Sequence, residues 1–139
     1  MTTALKLDAE TVSEKAVKAS STRDRFLKKK KRVDKKTITL NGEETVIVIE
    51  ALPTPLLNQL QVEHPARKNN NDDKALGLNS KTFPPALFAA SVQDPKLSAD
   101  EWQEIWTSPD WSAGELGHLL DLVFGVSTKG FDVPFGGGG

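Results

Sequence analysis

A small α+β domain, mainly helical, is what these 139 residues predict. Three observations carry that reading. An Asn-Gly pair sits between two β-branched runs in "TITLNGEETVIVIEAL", the strongest short hairpin signal. Two Ser-x-x-Glu capping boxes each open a segment with apolar residues at helical spacing. Only 37% of residues are hydrophobic, so the part that folds is smaller than the chain. The expected order is one N-terminal hairpin followed by about four helices, with a flexible basic arm before and a disordered Gly-rich tail after.

The arm covers residues 1–35 and is expected to be partly helical or disordered. "LDAETVSEKAVKAS" could form a helix capped by Asp8, but Val12, Ala16 and Ala19 make a thin apolar stripe. Charge separates arm from body. Residues 1–36 hold 12 Lys/Arg against 5 Asp/Glu, and residues 37–139 hold 6 against 14, which recovers the net charge of −1. A basic arm on an acidic body can bind nucleic acid or dock on a neighbouring copy. The run Lys28, Lys29, Lys30, Lys31 and Arg32 is the candidate self-association element. No aromatic platform interleaves with it, and the acidic body would repel DNA, so nucleic acid is the weaker expectation.

The single domain is expected over 36–126. Its hairpin covers 37–50. A three-residue loop, Asn41-Gly42-Glu43, would set Ile38 opposite Val46 and Leu40 opposite Glu44, and is preferred over a two-residue loop because it matches one more apolar pair. The second strand, apolar on both faces at Val46–Ile49, should be the more buried. A helix over about 54–64 comes next, with Thr54 as cap, Pro55 at the first helical position, Leu56, Leu57 and Leu60 on one face, and Pro65 as terminator. Residues 65–81, rich in Asn and Asp, read as a mobile loop.

Three further helices are expected. The one over 84–93 aligns Phe83, Leu87 and Ala90 and stops at Asp94-Pro95. The one over 99–107 is capped by Ser98 and Glu101 and carries Trp102, Ile105 and Trp106. The last, over 113–125, is capped by Ser112 and Glu115. It presents Leu116, Leu119, Leu120, Val123 and Phe124 at i, i+3, i+4, i+7 and i+8, with Gly125 placed to end it. Residues 127–139 form the tail.

Chemistry finds little foothold. The chain has no cysteine, which excludes disulfides, thiolate zinc sites and thiol nucleophiles and suits a reducing compartment. No apolar run approaches the roughly 18 residues of a membrane span, and no signal peptide opens the chain. His64 and His118 lie in different elements; the first reads as a helix-end residue and the second as a boundary residue. Neither HExxH nor GxSxG occurs, and the glycine cluster precedes no helix that could cradle phosphate. The expectation is a non-enzyme without catalytic, cofactor or metal residues. Trp102, Trp106 and Trp111 lie within ten residues of one another. They either seal a small core or anchor a partner.

The order of features resembles the tail assembly chaperones of long-tailed bacteriophages, especially those of phages infecting actinobacteria. The likeness covers about residues 33–126. It is carried by "VIVIEALPTPLLNQLQVEHP" and by "FPPALFAASVQDPKLSADEWQEIWTSPDWSAGELGHLLDLVFGVS". The resemblance implies a non-catalytic, oligomeric protein of the host cytoplasm, absent from the finished virion; a structural tail or connector adaptor retained in the virion is an alternative reading. It would coat the tape measure protein until tail tube subunits polymerise around it. Such a role requires apolar or aromatic grooves for helices; Trp102, Trp106, Trp111 and the exposed sides of Leu87 and Phe88 are the candidates. Genes of this family often carry a −1 frameshift near their end, giving an extended form that contacts the tape measure or tube. The terminal "PFGGGG" fits such a slippery site, and a linker is the other reading.

Overall fold

The computed structural model describes residues 21–130. The chain divides into two units, Met1–Lys31 and Arg32–Gly139. In the first, residues 21–27 are helical, and Lys28 N–H bonds the Asp24 carbonyl at 2.8 Å. Phe26 and Leu27 are exposed there. The sequence readings for Asp8, Val12, Ala16 and Ala19, and for residues 131–139, lie outside the described residues.

The second unit begins with the hairpin. Strands β1 (Val33–Leu40) and β2 (Glu43–Glu50) pair antiparallel. Asn41 and Gly42 take φ of 52° and 81°, so both central residues are left-handed, as a two-residue type I′ turn demands. Leu40 faces Glu43 and Ile38 faces Thr45. The three-residue loop is therefore corrected. Its extra apolar pair is outweighed by a turn whose twist matches that of the strands. Val33 to Lys35, assigned from sequence to the arm, belong to the sheet.

β2 is the central strand of a three-stranded antiparallel sheet, because β3 (Val92–Asp94) pairs on its other side. Ile47 and Ile49 are buried, whereas Val46 on the opposite face is 53% exposed. The expected burial of β2 thus holds for one face only. Residues 92–93, expected as the end of a helix, form this short strand instead.

Among the described residues of the unit there are five helices: α1 (Thr54–Glu63), α2 (Asn71–Leu76), α3 (Phe83–Ser91), α4 (Ala99–Trp106) and α5 (Ala113–Thr128). The fold is α+β and mainly helical. α1 is entered through Pro53 without a side-chain cap, so Thr54 stands inside the helix rather than capping it. α4 and α5 carry the expected capping boxes at Ser98/Glu101 and Ser112/Glu115. The core gathers Ile47, Ile49, Leu52 and Leu60 with Phe83, Leu87, Phe88 and Val92, and with Trp102, Leu119, Val123 and Val126. Its buried hydroxyl is satisfied, since Ser91 Oγ donates to the Glu50 carbonyl at 2.7 Å.

α5 does not stop at Gly125. It runs to Thr128 because Val126 is buried in the core and Ser127 Oγ accepts the Leu52 N–H at 2.9 Å. Each contact makes another turn worth ordering. No helix among the described residues is long and apolar enough to cross a membrane.

Candidate functional site

Packing divides the aromatic and apolar residues that the sequence offers as a binding face. Leu87 and Phe88 are fully buried and Trp102 is 3% exposed. The expected exposed sides of Leu87 and Phe88 do not exist, because α3 is covered by α4 and α5 as well as by the sheet. Phe88 packs against both tryptophans of α4, with ring centroids 5.1 Å from Trp102 and 5.9 Å from Trp106. These residues hold α3 to α4. As a partner-binding face, Leu87, Phe88 and Trp102 are withdrawn because they are buried.

Trp106 is half-buried and has a second duty. Its indole Nε1 donates to the Ser80 carbonyl at 3.0 Å. Ser80 belongs to the segment expected to be a mobile loop, which the structure corrects. Asn70 caps α2 by accepting the Asp73 N–H at 2.9 Å, and Gly77, at φ 82°, ends it. Inside, the fully buried Asp73 carboxylate accepts from Arg67 N, Nε and Nη2 at 2.8, 2.8 and 3.0 Å. It also accepts from Ser80 N and Oγ at 3.0 and 2.7 Å. The Arg67 guanidinium, helped by Ser80 against the desolvation of burial, holds the Asp73 carboxyl well below the usual carboxylate range. The signal was present in "NNNDDKALG": an Asn cap, acids in the first turn and a closing Gly. Its polarity read as loop because the group it buries is a charge.

His64 ends α1, as expected. Its Nδ1 lies 2.8 Å from Thr82 Oγ1, tying α1 to the start of α3, and its ring meets the edge of Phe83. His118 is exposed on the flank of α5.

That flank forms a feature no sequence motif announced. β1 is the sheet edge, and its alternate residues Asp34, Lys36, Ile38 and Leu40 are half-buried on the side facing α5. Between strand and helix lies a groove of two neighbouring depressions, both lined by His118. One, of about 330 Å³, is lined by Thr37 to Leu40, Trp111, Glu115 and Leu119. The other, of about 260 Å³, is lined by Arg32, Asp34 and Lys36 against Asp121, Leu122, Val126 and Lys129. The first is the apolar end; the second carries charge.

Arg32 closes the charged end. Its Nη2 and Nε hold the Asp34 carboxylate at 2.8 and 3.2 Å, which lowers that carboxyl's pKa. Its Nη1 donates to the carbonyls of Lys129 and Gly130 at 3.1 and 3.2 Å. Arg32 therefore ties β1 to the end of α5 and leaves the proposed association arm; Lys28 to Lys30 remain exposed. Of the five aromatic and apolar candidates, Trp111 alone lines this groove.

No family model, curated protein or solved structure matches this chain.

Proposed function

We propose that this chain is a tail assembly chaperone of the long-tailed phage type. In that role it binds the tape measure protein without catalysis and keeps it soluble while the tail tube assembles. The observation that carries the reading is the groove between β1 and α5. Its apolar lining of Ile38, Leu40, Leu119 and Trp111, beside the polar Thr37, Thr39, Glu115 and His118, suits the apolar stripe of a partner helix. A client with many such stripes would take many copies, each contributing a modest affinity. The sequence pattern over 33–126 supports the same reading. Self-association through Lys28 to Lys31 and an extended −1 frameshift product that meets the tail tube belong to the same proposal.

Co-expression tests it. The tape measure protein should stay soluble and co-purify with the full chain, in a ratio of several chaperones per client. Trp111→Ala should cut recovery at least tenfold without unfolding the chaperone. An insoluble tape measure in both cases would sink the proposal. Binding of duplex DNA that weakens steeply between 50 and 200 mM salt would instead favour a nucleic-acid accessory role for the basic run. Intact mass of all products of the gene decides whether a −1 product exists.

A further inference from the structure

β1 ends the sheet with its outer side unpaired. The two-residue turn makes Leu40 and Glu43 a hydrogen-bonded pair, and the alternation of the ladder then turns Asp34, Lys36, Ile38 and Leu40 towards β2. The next step of the ladder agrees, since Ala51 N–H donates to the Arg32 carbonyl at 2.8 Å. Val33, Lys35, Thr37 and Thr39 therefore point their N–H and C=O groups away from the hairpin. Among the described residues nothing bonds to those groups. Such an edge is a template for another strand. α5 does not occupy it, because the sheet contact of that helix is chiefly to β2.

The side chains of β1 select which strand fits. Lys36 lies on the half-buried face, and an inward-pointing charge on an edge guards against indiscriminate pairing. Antiparallel self-pairing requires that outward-facing residues meet each other, which leaves few registers. An axis at Lys35 or at Lys36 sets a lysine directly against its own counterpart and is disfavoured. An axis at Thr37 sets Lys36 against Ile38 and Asp34 against Leu40. An axis at Ile38 alone matches kind with kind. Ile38 then faces Ile38, Thr37 faces Thr39, and the Lys36 stem crosses Leu40 with its ammonium towards Glu43, the residue that Leu40 pairs with in the hairpin.

We propose that two copies of this chain join β1 to β1, antiparallel about a two-fold axis at Ile38. The result is a six-stranded sheet, three strands from each copy. The apolar depressions lined by Ile38, Leu40, Trp111 and Leu119 become neighbours on one side of that sheet. The inference goes beyond the chaperone reading, needs no client, and uses a surface distinct from the Lys28 to Lys31 run.

Sedimentation of the full chain at about 0.5 mM, where a small and weak interface is already populated, should show a dimer in exchange with monomer. Thr37→Pro removes an N–H that faces away from β2, so the hairpin stands while the edge is blocked. It should raise the dimer dissociation constant at least tenfold. A chain that stays monomeric overturns the proposal, and so does a dimer indifferent to Thr37→Pro, which would assign association to another surface such as the basic run. The cysteine-free sequence allows a second test that does not depend on the proline variant folding. Ile38→Cys should oxidise to a covalent dimer at least tenfold faster than Lys36→Cys, Thr37→Cys, or Asn58→Cys on the exposed surface of α1. Only at Ile38 does a side chain face its own counterpart across a non-hydrogen-bonded pair, at the roughly 4.5 Å Cα separation that a disulfide spans. Equal rates, or a faster reaction at Lys36 or Thr37, overturn the proposal. Thermal unfolding of each reduced variant verifies the fold, and because no client is present the result is independent of the chaperone test.

Discussion

Trp106 and Ser80 are joined by an indole N–H to carbonyl hydrogen bond of 3.0 Å across 26 residues of sequence. That bond connects α4 to the segment organised by Asp73, since Ser80 also gives its N–H and O–H to the Asp73 carboxylate. An aromatic side chain on an amphipathic helix is here a structural clamp. Its polar handle, more than its ring, distinguishes it from Phe88 beneath it.

Trp106→Phe should therefore retain the contact with Phe88 and lose the bond to Ser80. The expected cost is about 1 kcal/mol, read as a lowered urea midpoint with an unchanged slope. Faster amide exchange should be confined to residues 67–82. No change in that segment would mean that the clamp contributes nothing.

Asp73 gives a pH signature. Its carboxyl titrates well below the usual range in the folded chain, chiefly because of the Arg67 hydrogen bonds and then those of Ser80. In the unfolded chain it titrates near 4. Between those values the unfolded state binds the extra proton, so stability falls as pH falls. The contribution is complete above about pH 5 and drains progressively below about pH 4. Asp34 and Glu115, also lowered, act in the same direction. Thermal scans from pH 7 to 2 should show a steep acid loss in the natural chain. In Asp73→Asn, which is less stable at pH 7, the slope should be shallower, so that the two melting temperatures converge towards low pH.

Trp102 and Trp111 should separate stability from binding. Trp102→Ala empties a core position that is 3% exposed and should cost about 3–5 kcal/mol, enough to unfold much of a domain this small. Trp111→Ala removes a half-buried wall of the groove. It should leave a cooperative unfolding transition and lower client recovery. Circular dichroism melts beside the co-purification assay distinguish the two.

The capping boxes give a calibrated pair. Ser98 and Ser112 each accept an N3 amide at 3.1 Å. Replacement by Ala should cost about 1 kcal/mol in each case. Because the two serines cap different helices, the double variant should lose about the sum. A double variant no worse than either single one would show that one helix end is already frayed.

Local chemistry was legible in the order of residues. Asn41-Gly42 announces a hairpin, Ser98/Glu101 and Ser112/Glu115 announce helix starts, and the spacing from Leu116 to Phe124 announces a buried face. Each depends on neighbours within a turn or two, where propensity and capping dominate. The two-residue turn is also a local outcome, since Asn41 and Gly42 take the left-handed conformation that strand twist selects. Tertiary packing decided the rest. It carried α5 past Gly125 to bury Val126, and turned 92–94 from helix into a third strand. It made an ordered segment of 65–81 by neutralising one buried carboxylate with Arg67 and Ser80. It also sealed Leu87, Phe88 and Trp102 inside and left Trp111 on a groove that no motif encodes. An apolar side chain reads the same in sequence whether a neighbouring helix covers it or not, and only the fold determines which face is covered.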